Sequence, residues 1–439
     1  MNLSRALRIK TDSSTSRIAV VGAGGKTTAL FQLARELTPP VLVTSTTHFG
    51  FWQIPLADQH IVAEEPDDVE DIPANGVTLL TSPSEGDRTP PLHPLVLKDV
   101  EKLARKKNIP ILIECDGSRG LPLKAPAEHE PPIPDFVDTV IVVAGLSGLG
   151  QPLDESHLHR PLLFSALSGL DPGKPVTPES VVRVLLHPSG GLKNFPSGAR
   201  RVCLLNQADT PELQATAQQM SESLLAGYDS VIIASLKDKV IHAVNERVAG
   251  IILAAGESTR FGKPKQLLDW HGEPFVRVVA KKALAAGLSP VVIVTGSNAE
   301  EVEAAVNDLN VTIVRNESWK AGQGSSIVKG VESLPENIGA GIFLLADQPQ
   351  VSVEVLRALT ESHRREMSAI VAPLILEERR GNPVLFDRIT FPDLLSLQGD
   401  VGGRAVFHKH KVEFLPWHDD ALLLDVDTPE DYQRLIESN

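Results

Sequence analysis

Apolar runs and helical stretches alternate along the whole chain. In the first 240 residues, continuous Val/Ile/Leu-rich runs fall around 17–22, 40–46, 60–63, 77–81, 109–115, 139–144, 200–206 and 229–234. Beyond them they recur around 249–254, 290–295, 311–315, 341–346, 369–375, 382–386 and 412–416. Runs that stay apolar at every position suit strands buried on both faces. The intervening segments have helical spacing, so the pattern predicts mainly parallel sheets with helices on both faces. Two places share one design, an apolar run followed by a glycine-rich turn and a helix: residues 17 to 38 and residues 248 to 268. No repeat and no low-complexity linker separates the halves. The stretch KVIHAVNERV, at 239–248, reads as helical and puts the boundary near 238–248. The expected organisation is therefore a domain over 1–240 and a second over 248–439. The proline-rich segment 119–135 reads as an ordered loop, neither strand nor helix, because proline fixes φ and removes a donor.

Composition changes this picture little. A chain of 439 residues suggests two or three domains at ~100–200 residues each, and 42% hydrophobic with 22% charged content is ordinary for a globular protein. The net charge of −14 argues against nucleic-acid or anionic-membrane binding, which need a basic surface. Cys115 and Cys203 sit in strand-like runs with no CxxC spacing, so they read as buried, reduced thiols. The first residues lack the apolar core of a signal peptide, and no apolar stretch reaches the ~18–20 residues of a membrane span. The expected location is cytoplasmic.

Candidate chemistry sits at the ends of the runs. In the second half, Leu253-Ala-Ala-Gly-Glu-Ser-Thr-Arg-Phe-Gly-Lys-Pro-Lys265 follows a strand. Its small residues let backbone approach a ligand, and its N–H groups can hold phosphate oxygens. Arg260 and Lys265 add positive charge to the same loop. In open α/β sheets such strand ends line the ligand crevice. Asp347, in Phe343-Leu-Leu-Ala-Asp, ends another apolar run. Asp425 and Asp427 lie two apart, on one face of an extended segment. Magnesium takes one or two carboxylates and otherwise binds phosphate and water, which Asp347 with Asp427 would satisfy. Thr428 reads as a helix N-cap with Pro429 at the first position.

These motifs, LAAGxSxRxGxxK with ADQP and DVDTPED, resemble the molybdenum cofactor nucleotidyltransferases, and among them the cytidylyltransferase, over 248–439. The segments Trp319-Lys-Ala-Gly-Gln-Gly-Ser-Ser326, Gly381-Asn-Pro-Val-Leu-Phe386 and Gly399-Asp-Val-Gly-Gly-Arg404 share the likeness. The resemblance implies a Rossmann-like nucleotidyltransferase domain that moves CMP from CTP onto Mo-molybdopterin. It implies Arg260 and Lys265 as catalytic cations on the triphosphate, and Asp347 and Asp427 as magnesium ligands. Ala254, Ala255, Gly256, Ser325 and Ser326 would lie beside the nucleotide, and Asp400 and Arg404 would face the pterin. Ala255 stands where guanylyl relatives usually carry glycine, which favours CTP over GTP. A sugar- or polyol-phosphate nucleotidyltransferase is the alternative.

In the first half, Gly22-Ala-Gly-Gly-Lys-Thr-Thr28 follows a strand and opens a helix. Gly22, Gly24 and Gly25 free backbone N–H groups for phosphate, Lys26 would reach a terminal phosphate, and Thr27 could ligate magnesium. The usual P-loop spacing would need glycine at Val20, so this is a shorter variant, similar to that of ATP-dependent amide ligases of cell-wall synthesis. Glu114 and Asp116 end another run, with Asp116 the better second-sphere magnesium candidate. Asn206 and Asp209 suit either base reading or capping of the next helix. GAGGKTT, TSTTH, ECDGSRGLPLKAPAEHEPPIP, VVAGLSGLGQPL and LLNQAD resemble the selenium-dependent hydroxylase accessory family. That implies a P-loop-like domain binding ATP or GTP and an apo molybdenum hydroxylase as partner. A non-catalytic scaffold is the alternative. The expected whole is thus two three-layer α/β/α domains.

Overall fold

A computed structural model describes residues 1–10, 15–69, 72–84, 88–257, 261, 263–375, 379–424 and 426–437. The chain divides into two compact units, Met1–Asn245 and Glu246–Asn439.

The first unit is built on parallel strands: β1 (Arg17–Gly22), β2 (Val41–Ser45), β3 (Gln59–Val62), β4 (Val77–Thr81), β5 (Ile111–Glu114), β6 (Thr139–Gly145), β7 (Arg200–Asn206) and β8 (Ser230–Ser235). They lie in the order β8-β7-β6-β1-β5-β2-β4-β3. β1 pairs with β5 on one side and β6 on the other, both parallel. The chain leaves β1 towards β2 and returns to β6 on the opposite side. Such a reversal opens a crevice at the carboxyl ends of the central strands. Ile18, Ala19, Val20 and Val21 are all buried, as a strand covered on both faces requires. The segment 119–135 is mostly loop, but it is not wholly irregular: Leu123–Lys124 pairs in parallel with Leu158–His159.

The strand β9 (Val240–Ala254) begins in the last residues of the first unit and continues into the second, which adds β10 (Val291–Thr295), β11 (Thr312–Arg315), β12 (Ile338–Leu345), β13 (Ile370–Ile375), β14 (Val384–Asp387) and β15 (Val412–Trp417). Their order is β11-β10-β9-β12-β14-β13-β15. All pairs are parallel except those of β14, which runs antiparallel to both neighbours. Ile251 and Ile252 belong to separate apolar clusters, so successive side chains of β9 feed cores on the two faces. The stretch 239–248, expected to be helical, is instead the first part of β9 from Val240 onward. Its Val240, Ile241, Val244 and Val248 are β-branched, and that preference with sheet pairing overrides a short helical spacing. Among the described residues, no helix is long and apolar enough to cross a membrane.

Candidate functional site

In the first unit the glycine loop leaves β1 and opens the helix Lys26–Glu36. Gly22, Gly24 and Gly25 have φ of 97°, 81° and 124°, where a side chain is strained. Neighbouring backbone also closes on the loop: a Cβ on Gly22 would lie 2.2 Å from the Val143 carbonyl oxygen. The Gly22 N–H donates to both carboxylate oxygens of Asp116, each at 3.0 Å. Lys26 is buried, its Nζ donating to the Gly22 carbonyl at 2.9 Å and standing 3.5 Å from Asp116 and 3.8 Å from Glu114. Thr27 Oγ1 donates to Glu114 at 3.1 Å and accepts from Gln53 Nε2 at 2.7 Å. All six residues expected at this site therefore lie together.

Glu114 and Gln53 join them. Burial raises the Glu114 carboxyl above its usual value, opposed by the Lys26 charge and the Thr27 hydrogen bond. Asn206 does not cap the following helix. Its Nδ2 donates to the Gly24 carbonyl at 2.7 Å and its Oδ1 accepts from Leu236 N at 3.0 Å. The helix cap is Thr210, which accepts from Leu213 N.

A buried ionic cluster supports the loop from behind. Lys124 Nζ donates to Asp116, to the Gly117 carbonyl and to Glu130, each at 2.8 Å. Arg160 grips Glu130 with two bonds of 2.6 and 2.8 Å. Burial disfavours the Glu130 charge, but these partners outweigh it and hold its carboxyl at about 2.

In the second unit a cavity of about 850 Å³ opens at the carboxyl ends of β9 and β12. Ala254, Ala255, Gly256, Lys265, Ser326, Asp347, Asp400 and Asp427 line it. Lys265 Nζ donates to Asp427 at 2.7 Å and stands 3.1 Å from Asp347. Burial works against its charge, but Asp427 and Asp347 outweigh it and hold the ammonium above the ordinary lysine range. Among the described residues no group of three or more His, Cys, Asp or Glu is placed to hold a metal. Two carboxylates from separate segments nonetheless converge on one point, a hard-oxygen pair that fits magnesium when phosphate and water complete its shell.

The remaining expected residues divide. Ser325 turns to a neighbouring hollow and accepts from Asn316, while Asn316 also donates to Ser326 at 3.0 Å. Arg404 lines a separate hollow of about 310 Å³, with Phe343, Val384 and Phe386, and bonds Asn382 at 3.3 Å. That hollow and the main cavity share Leu253, Gln323 and Leu345. Arg260 and Asp425 lie outside the described residues. Sequence reasoning missed Asn316, a buried amide just after β11 that fixes both serines, and Lys320, which lines the main cavity beside Trp319. Thr428 caps its helix as expected, exchanging bonds with Asp431.

Family comparison matches residues 18–162 to the YqeC protein and residues 250–414 to the MobA-like NTP transferase domain. The YqeC protein of Escherichia coli (strain K12) is 34% identical over 43% of this chain and 75% of its own length. Nicotine blue oxidoreductase of Paenarthrobacter nicotinovorans is 36% identical over 43% of this chain and 96% of its own. A protein named "Probable molybdenum cofactor guanylyltransferase" from Bacillus cereus (strain G9842) is 36% identical over 29% of this chain and 62% of its own.

Proposed function

We propose, starting from a chain that belongs to the YqeC protein family in its first half and to the MobA-like NTP transferases in its second, that the second unit transfers CMP from CTP to the phosphate of the molybdenum cofactor. The chain is a nucleotidyltransferase; the identities of nucleotide and acceptor are the proposed part. Lys265 between Asp347 and Asp427, at the mouth of the β9 loop, carries the reading. A lysine and two carboxylates converging at strand ends suit a polyphosphate.

Backbone N–H groups of the Ala254–Gly256 turn would hold the triphosphate, with Lys265 neutralising its charge. Asp347 and Asp427 would hold magnesium, which supplies charge neutralisation for the leaving pyrophosphate. A terminal phosphate oxygen of the acceptor bonds to the α-phosphorus, and the α–β bridging bond breaks with its electron pair on pyrophosphate. The acceptor is largely ionised at pH 7, since a phosphate monoester has its second pKa at about 6, so no general base is needed. Catalysis is then positioning and electrostatics. The hollow with Phe343, Phe386 and Arg404 would take the pterin, with Asp400 at the shared rim.

Ala255 supports cytosine. A Cβ built on Gly296 would stand 2.8 Å from the Ala255 methyl, so the two segments pack closely at this loop and Ala255 leaves less room beside it than glycine would. The first unit we read as a site for ATP or GTP that serves maturation of a molybdenum hydroxylase; the paired Lys26, Thr27, Glu114 and Asp116 support that.

The test is pyrophosphate release by the full chain with magnesium, molybdenum cofactor and either CTP or GTP. Release with CTP alone is expected. Release with GTP alone overturns the cytidylyl assignment, and release only with a sugar phosphate as acceptor overturns the cofactor assignment.

A further inference from the structure

Among the described residues of the first unit, four cations lie in the glycine loop or in the segments packed beside it, and three are committed to partners. Lys26 is held by the Gly22 carbonyl and two carboxylates. Lys124 spends its donors on Asp116, Gly117 and Glu130. Arg160 is bidentate on Glu130. Arg119 is exposed and makes no hydrogen bond or ion pair among the described residues.

Its position is nevertheless fixed. Ser118 Oγ accepts from Lys26 Nζ at 3.3 Å. Leu121 N donates to the Ser118 carbonyl at 3.0 Å, closing a turn over Arg119 and Gly120. The Pro122 carbonyl accepts from Gly145 N at 2.8 Å and would lie 2.7 Å from a Cβ on Gly24. The turn is therefore pinned at both ends, to the loop lysine and to the backbone beside the loop glycines. Arg119 has φ of 54°. That left-handed conformation costs a bulky residue of order 1 kcal/mol, and such strain tends to collect at working sites. Arg119 is also near enough to add, after burial, Arg160 and Lys124, to the push that lowers the His159 imidazole to about 4.

We propose that Arg119 is a catalytic cation supplied by the chain itself, which makes the first unit a hydrolase of nucleoside triphosphates. The proposal rests on the glycine loop holding the phosphates. A water oxygen bonds to the γ-phosphorus, and the bond to the β–γ bridging oxygen breaks with its electron pair on the diphosphate. One water proton stays on the released phosphate and the other passes to solvent. Charge spreads over the γ-phosphoryl oxygens as this happens, and a guanidinium beside them stabilises that state more than the ground state. The three paired cations keep the loop's shape; the unpaired one meets the transferring group.

The experiment uses the full chain with magnesium and either ATP or GTP. It measures nucleotide binding, phosphate release (not pyrophosphate) and trapping of the diphosphate with aluminium fluoride, for the native protein, Arg119→Ala, Arg119→Lys and Lys26→Ala. Native protein should bind, release phosphate and trap the diphosphate. Arg119→Ala should bind within about threefold of native, lose about 10³-fold in release and fail to trap, because cations of this kind contribute ~10³–10⁵ to the rate. Arg119→Lys should recover little, since a lysine lacks the planar fork. Native binding that Lys26→Ala abolishes, with no phosphate release or with release unchanged in Arg119→Ala, overturns the role of Arg119 and leaves the nucleotide site standing. Native protein that binds neither nucleotide overturns both.

Discussion

Glu130 shows how much one side chain can hold. It joins Arg160 to Lys124, and Lys124 holds Asp116, which in turn fixes the first N–H of the glycine loop. Its carboxyl sits at about 2 against an ordinary 4.5. A depressed carboxylate stabilises the fold fully above its unfolded value, and that stability drains away as pH falls from about 4.5 towards 2. Acid unfolding of the native protein should therefore steepen in this window. Glu130→Gln should flatten that limb and lower stability at pH 7 by about 1–2 kcal/mol, because half-buried Arg160 loses its carboxylate while buried Lys124 keeps only Asp116 as counter-charge. Equilibrium denaturation at stepped pH checks both, and an unchanged acid limb would remove Glu130 from this role. The sequence marked Lys124 and Glu130 only as members of a loop. Their partner Arg160 lies 30 residues beyond Glu130, and ion pairs at that range leave no local pattern.

At the scale of elements, apolar patterning served well wherever a strand is buried on both faces. β1, β4 and β7 match the expected runs, since a continuous apolar run has few other uses. It failed at 239–248, where a half-polar strand and a short helix offer similar spacing and pairing decides. The glycine loop was legible because three left-handed positions demand glycine. Its clamp was not, because Asn206 acts on Gly24 from 182 residues away. We expect Asn206→Ala to weaken nucleotide binding by the first unit about tenfold, with about 1–2 kcal/mol lost in stability from the two bonds removed. Titration with a fluorescent nucleotide, beside thermal melting, checks this. Full affinity would mean that the loop holds its shape unaided.

For the whole molecule, the second unit's site was read from carboxylates at strand ends. What the sequence could not disclose is that Lys265 reaches Asp427 across 162 positions. The proposed reading gives the chain two separate phosphate-binding loops, one in each unit. Binding isotherms should thus resolve two nucleotide classes, one lost in Lys26→Ala and the other, with all pyrophosphate release, in Asp347→Ala. Loss of both classes in either variant would mean that a single site accounts for all binding.

Lys265 also sets an order of arrival. With its ammonium between Asp347 and Asp427, it is already the counter-ion of that pair, so a bare divalent cation would have to displace it. A triphosphate would supply the ammonium with another partner. On the proposed reading the lysine would turn to the incoming oxygens, leaving Asp347 and Asp427 to hold the magnesium that accompanies the nucleotide. Under that reading the site would answer to the magnesium–nucleotide complex and not to the free ion, and Lys265 would be the gatekeeper of the metal.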